Sequence, residues 1–168
     1  WDKATLKSKG EILLPGGKRQ QIVTYKNTFQ FTNNEKWALV TNFTPAHSVT
    51  VVDLEGRKVL GDIELPGCSM VYPTGERGFT TFCADGTLTS IVLDPDGKVS
   101  STVTTKPIHD IDNQAMFAMP AMVGKTAWFV TYRGLIRGFD LSGPVAKPLK
   151  KDFSVGAADG GQPEWRPG

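Results

Sequence analysis

The sequence predicts an all-β chain built from repeated units of four short strands, and three observations carry that expectation. Eighteen glycines and eleven prolines divide the 168 residues at intervals of roughly eight to twelve positions, the spacing of short strands joined by turns. Between these breaks lie runs rich in β-branched and aromatic residues, which fit a pleated, half-buried surface. No window sustains a helical period with caps at its ends.

Taken in order, residues 1–14 read as the end of a preceding unit. Residues 15–65 form the first complete unit, with strands expected near 28–32, 36–42, 48–54 and 58–65; Trp37–Thr41, Ser48–Leu54 and Val59–Leu65 are its β-rich runs. Residues 66–105 form the second, with strands near 69–73, 78–83, 86–93 and 98–105, carried by Phe79–Cys83, Thr87–Leu93 and Val99–Thr105. Residues 106–150 form the third, with strands near 115–119, 125–132 and 135–141 and a weak fourth near 145–149. Residues 151–168 read as a loop into the next unit.

A turn motif marks the repeat. Asp53-Leu54-Glu55-Gly56, Asp94-Pro95-Asp96-Gly97 and Asp140-Leu141-Ser142-Gly143 each follow a strand, with their Asp positions 41 and 46 residues apart. In such a turn Asp caps its own backbone and Gly accepts a positive φ. Four strands in each period of about 40–45 residues is the signature of a β-propeller blade of the WD40-like kind. About three blades do not close a ring of four to eight, so either further blades lie in sequence beyond this stretch or the chain has another β architecture. The start at Trp1 and the stop at Gly168 lead to the same expectation, of a mature or excised piece.

Cys68 and Cys83 flank a predicted hairpin. With Thr74-Gly75-Glu76-Arg77 as a type II′ turn, whose first central position takes Gly, counting outward pairs 72 with 79, 70 with 81 and 68 with 83. Directly opposed residues lie within disulfide reach. Closing such a loop contributes roughly 3 kcal/mol in the chain-entropy picture, and a bridge implies an oxidising compartment such as the periplasm. Two unrelated buried thiols are the other reading. Pro73 requires its strand to be a sheet edge, the place of a blade's innermost strand.

Composition excludes several classes. Nineteen Lys and Arg against seventeen Asp and Glu leave +2, spread along the chain, whereas a nucleic-acid surface needs clustered basic residues. The apolar stretch Ala115–Gly124 is ten residues long and holds Pro120, against about 20 for a membrane span. Within it, Ala115–Met122 carries three of the four methionines and Phe117 and reads as core packing under a central strand, a greasy binding surface being the other reading. No dinucleotide, phosphate-loop or zinc-protease motif occurs.

His47 and His109 stand 62 residues apart in separate predicted loops and read as turn histidines rather than ligands. His109-Asp110-Ile111-Asp112-Asn113 offers hard oxygen donors but lacks the length and glycine of a calcium loop. Asn42-Phe43-Thr44 fits a glycosylation sequon. With no defensible nucleophile and base, no catalytic, cofactor-binding or metal-binding residue is assigned.

Pro45-Ala46-His47-Ser48-Val49-Thr50-Val51-Val52-Asp53-Leu54-Glu55-Gly56, then Pro66-Gly67-Cys68 and Phe82-Cys83-Ala84-Asp85-Gly86-Thr87-Leu88, resemble the heavy subunit of quinone-dependent amine dehydrogenases, of both methylamine and aromatic amine types. The C-x-D-G-x-L pattern after the second cysteine is the most specific part. Trp165-Arg166-Pro167-Gly168 is similar to the W-x-P-G that opens the family's next blade. The similarity runs in order along essentially the whole chain.

The resemblance implies the middle part of a seven-bladed propeller, in a periplasmic heterotetramer of two heavy and two light subunits. Such enzymes oxidise a primary amine to an aldehyde and ammonia and pass electrons to a small copper protein, a cupredoxin. Their cofactor, tryptophan tryptophylquinone, is built from two tryptophans of the light subunit. The family's heavy subunit carries a disulfide at the positions matched by Cys68 and Cys83, and acts mainly as scaffold. Loops joining second to third strands, and those entering innermost strands, are expected on one face of the ring. That makes Phe43 and His47, with His109, Asp110 and Asp112, the candidate partner-facing residues. Two other classes remain open: a non-catalytic extracytoplasmic propeller that binds a partner, and a lactonase-like propeller enzyme with a carboxylate and His cluster around its central channel.

Overall fold

The computed structural model describes residues 1–23 and 25–155. Its strands form three antiparallel sheets. The first runs β1 (Phe29–Thr32), β2 (Trp37–Asn42), β3 (Ser48–Asp53), β4 (Lys58–Glu64), and the second β5 (Cys68–Pro73), β6 (Gly78–Cys83), β7 (Leu88–Leu93), β8 (Val99–Thr104). In the third, β9 (Ala121–Val123), β10 (Thr126–Val130) and β11 (Leu135–Asp140) are neighbours in order. The far side of β11 is shared by β12 (Lys147–Pro148) and β13 (Phe153–Ser154). No described helix is long and apolar enough to cross a membrane.

The sheets pack face to face, which is why their middle strands are buried on both sides. Trp37, Leu39, Val49 and Val51 of the first sheet meet Val71, Phe79, Ile91 and Leu93 of the second in one core. The other face of the second sheet, with Met70, Tyr72 and Leu88, meets Ala127, Phe129, Phe139 and Leu141 of the third. Alternating side chains point to opposite faces, so β2 serves two interfaces at once: Ala38 and Val40 turn away from Trp37 and Leu39 and pack with Val52, Ile12 and Leu14. The outer strand β8 is exposed along its whole length. Sequential four-stranded meanders stacked in this way are blades of a β-propeller.

The repeat extends to its irregularities. The register of β3 with β4 shifts between Val51 and Val52, leaving Leu60 as the extra residue, and that of β7 with β8 shifts between Val92 and Leu93, leaving Ser100. The Leu60 carbonyl freed by the first bulge accepts a hydrogen bond from the Lys98 ammonium. Gly97 lies against the same leucine, where a Cβ would stand 2.5 Å from Leu60 Cδ1. Between the second and third sheets, the Arg137 guanidinium donates to the Ile108 carbonyl and the Gly75 amide donates to the Leu141 carbonyl at 2.8 Å.

The structure differs from the sequence expectations at five places. The β5–β6 turn is one residue longer than the type II′ turn expected, closing through Thr74 N–H to the Gly78 carbonyl. A bulge at Met70, whose φ is +66°, absorbs the extra residue, so Cys68 still faces Cys83. The innermost strand expected at 115–119 is broken: Met116 makes a lone bridge to Thr131, and the regular strand is Ala121–Val123. Ala118 and Pro120 explain the gap, because the Ala118 carbonyl is taken by the Tyr72 hydroxyl at 2.7 Å and Pro120 has no N–H. Methionines of this stretch also part company, Met116 packing inward while Met119 and Met122 are exposed.

The Asp half of each Asp-x-x-Gly turn behaves as expected, with Asp53, Asp94 and Asp140 accepting local backbone N–H groups. The Gly half does so only at Gly97 (φ +75°); near Gly56 the positive φ falls on Arg57 instead. At Gly56 a Cβ would lie 2.3 Å from Asp53 Oδ2, so a larger residue would have to move the capping carboxylate. Finally, Asn42 of the sequon is 2% exposed and donates from its amide to Ser48, Thr50 and Asp62. It is a core residue, inaccessible to glycan attachment.

Candidate functional site: one face of the propeller

In a meander, every second connection emerges on the same side. The loops after β2 (43–47), after β4 (65–67), after β6 (84–87) and after β8 (105–115) therefore share one face, and hydrogen bonds tie them in sequence. Leu65 N–H donates to the His47 carbonyl at 2.9 Å, Ala84 N–H to the Gly67 carbonyl at 2.7 Å, and Ile108 N–H to the Gly86 carbonyl at 2.9 Å. The Cys68–Cys83 disulfide, with Cα atoms 3.9 Å apart, sits at the centre of this ridge. Cys68 lines a small cavity with Phe43 and His47 on one side, and a more open one with Cys83, Asp85 and Thr87 on the other.

Each expected residue has a definite place. Phe43 is half exposed and meets the His47 ring edge-on, centroids 5.0 Å apart. His109 is partly buried against Phe82, centroids 6.1 Å apart. Burial holds its pKa below the ordinary histidine value, the Arg137 charge adds to that, and Asp110 opposes both. Asp110 is an Asx cap: Oδ1 accepts Asp112 N–H and Asn113 N–H, both at 3.0 Å, and Oδ2 accepts Asn113 Nδ2 at 2.8 Å. Those bonds, the Asn113 side chain first, keep its carboxyl below the usual range. The oxygens that suggested a cation site thus serve the turn, and among the described residues no cluster of three or more His, Cys, Asp and Glu is arranged for a metal. Asp112 is exposed beside it. The two loops share the face and flank the disulfide.

The C-x-D-G-x-L motif is the seat of the His109 loop. Asp85 Oδ1 accepts Thr87 N–H at 3.0 Å and the Thr87 hydroxyl at 2.7 Å, closing a tight turn. Gly86, at φ +80°, lies so near the loop that a Cβ would stand 2.7 Å from the His109 carbonyl oxygen and 3.4 Å from Ile111 Cγ2. Ile111, 41% exposed, was no candidate in the sequence, where an isolated apolar residue in a polar loop carries no signal. Nor was Arg137, which holds Ile108 and also pairs with Asp152 at 2.7 Å. Chemically, the face presents the half-exposed Phe43 and Ile111 side chains beside the exposed carboxylates of Asp110 and Asp112.

A family model described as "Methylamine dehydrogenase heavy chain (MADH)" matches residues 1–168. Among curated proteins, the methylamine dehydrogenase heavy chain of Methylorubrum extorquens is 34% identical over 99% of this chain, and that of Paracoccus versutus 29% identical over all of it. The chain spans only about 40% of the length of these relatives, 40% and 39% respectively. Among solved structures, the Cps50 (Swd1) β-propeller domain of Myceliophteria thermophila overlaps 76% of the chain and 42% of its own, at 8% identity and a TM-score of 0.49. That overlap bears no weight; the fold rests on the three sheets themselves. The Trp165–Gly168 segment that resembles the opening of a further blade lies outside the described residues.

Proposed function

The chain belongs to the methylamine dehydrogenase heavy chain family, and from that premise we propose that it is a scaffold section of the heavy subunit of a periplasmic amine dehydrogenase. The reaction is oxidation of a primary amine: RCH2NH2 and water give RCHO and ammonia, with two electrons and two protons released. In this reading the electrons are collected by tryptophan tryptophylquinone in the light subunit and handed to a cupredoxin. The working particle is a heterotetramer of two heavy and two light subunits, each heavy chain closing a seven-bladed ring.

One observation carries the reading: the family match extends over every residue from 1 to 168. Among the described residues, the three tryptophans do not suit the cofactor, which needs two side by side. Trp37 is buried between the first and second sheets, Trp128 packs over Gly138 and beside Phe153 in the third, and Trp1 is exposed. What this chain supplies is a rigid face, with Phe43 and His47 at one side of the disulfide and His109, Asp110 and Asp112 at the other, for the light subunit to meet.

Amine-dependent reduction of a dye by the full-length heavy chain mixed with its light subunit tests this. Activity from the mixture, and none from the heavy chain alone, is expected. Lack of activity with every light subunit offered, or activity of the heavy chain alone, contradicts it.

A further inference from the structure

We propose that the Cys68–Cys83 disulfide is a positioning device for the 108–113 loop, acting through the Asp85–Gly86 turn, rather than a general brace for its sheet. The inference stands apart from the identity of any partner.

The ladder itself explains why the corner needs a bridge. Cys68 pairs with Cys83 and Ser69 with Phe82, but the register then shifts, and regular pairing resumes only at Tyr72 with Thr80. Met70 sits in the gap at φ +66°. The top of β5 is therefore set off from the rest of its strand by the bulge, held by two pairs and the Thr81 hydroxyl on the Ser69 carbonyl. The bridge closes this weak end. β6 and β7, by contrast, keep an unbroken register from Gly78 with Val92 to Phe82 with Leu88.

From the bridge, the route outward is short. Cys83 both donates to Thr87 O and accepts from Gly86 N–H, each at 3.0 Å, while Ala84 N–H donates to Gly67 O next to Cys68. The turn so fixed offers the Gly86 carbonyl to Ile108 N–H and its bare Cα to the His109 carbonyl. Displacing the turn removes the seat of the loop. Local opening of this kind has its own free energy, separate from that of the sheet.

The test is hydrogen exchange of the full-length heavy chain, oxidised and after treatment with dithiothreitol. Reduction breaks the S–S bond, adds one hydrogen to each sulfur and oxidises the dithiol to its cyclic disulfide; a gain of two hydrogens in mass confirms it. Where the folded bridge resists, Cys68→Ser/Cys83→Ser replaces it. Exchange across 107–113 is expected to accelerate by about tenfold or more while 88–104 changes by less than about twofold. Unchanged exchange across 107–113 overturns the proposal, and so does equal acceleration through 88–104 or outright unfolding of the variant, since the bridge would then be a brace. Gly86→Val with the bridge intact is expected to loosen 107–113 alone; full protection there would refute the route.

Discussion

Asp62 on β4 gathers four partners: Lys18 Nζ at 2.6 Å on one oxygen, and on the other Thr50 Oγ1 at 2.7 Å, Ser48 Oγ at 3.1 Å and Asn42 Nδ2 at 3.3 Å. Burial works to raise its pKa, but the hydrogen bonds from Lys18, Thr50 and Ser48 together outweigh it and hold the carboxyl below the ordinary value of 3.8. A folded pKa below the unfolded one means stability that is fully present above the unfolded value and lost as pH falls through the folded one. Asp62→Asn is therefore expected to cost about 1–3 kcal/mol at neutral pH. In urea titrations at a series of pH values, the gap between the two proteins should hold steady down to about pH 4 and close below it. A gap that persists to lower pH would contradict this. Residue by residue, the Asp of each turn motif was readable because its capping is local. The network around Asp62 was not, since Asn42 and Asp62 stand on different strands and nothing in the linear order joins them.

At the scale of elements, the β7–β8 turn clasps the neighbouring sheet. Lys98 satisfies the Leu60 carbonyl that the bulge leaves over, and Gly97 makes room for the leucine side chain. Gly97→Val should cost about 1–3 kcal/mol and quicken hydrogen exchange in β4 as well as β8; an effect confined to β8 would show that the clasp does not couple the sheets. Phe79, fully buried between the first two sheets, is expected to cost about 3–5 kcal/mol as Phe79→Ala. Because its core belongs to both sheets, circular dichroism and Trp37 fluorescence should then report one shared, lowered transition. Strands with strong alternation and β-branched content, such as β3 and β7, were legible in the sequence. β9 was not: the run Ala115–Met122 looks continuous, but a tertiary hydrogen bond from Tyr72 and the missing N–H of Pro120 divide it. The register at the cysteines came out through two departures that cancel, a longer turn and a bulge.

For the whole molecule, two inter-sheet cores bind three blades in a row, and the polar and half-apolar loops gather on one face. Periodicity made the blades legible, because a strand buried on both faces must alternate and recur. The arrangement of loops on that face was legible only as topology; which side chains they present depended on contacts such as Gly86 against His109. In the proposed function this chain holds a surface and the oxidation is carried out in a partner. Native mass spectrometry of the unreduced complex captured through the full-length heavy chain tests that claim most directly. Two copies of the heavy chain with two of a small, cysteine-rich subunit bearing a covalent quinone are expected. A heavy chain found alone, or assembled only with copies of itself, would contradict it.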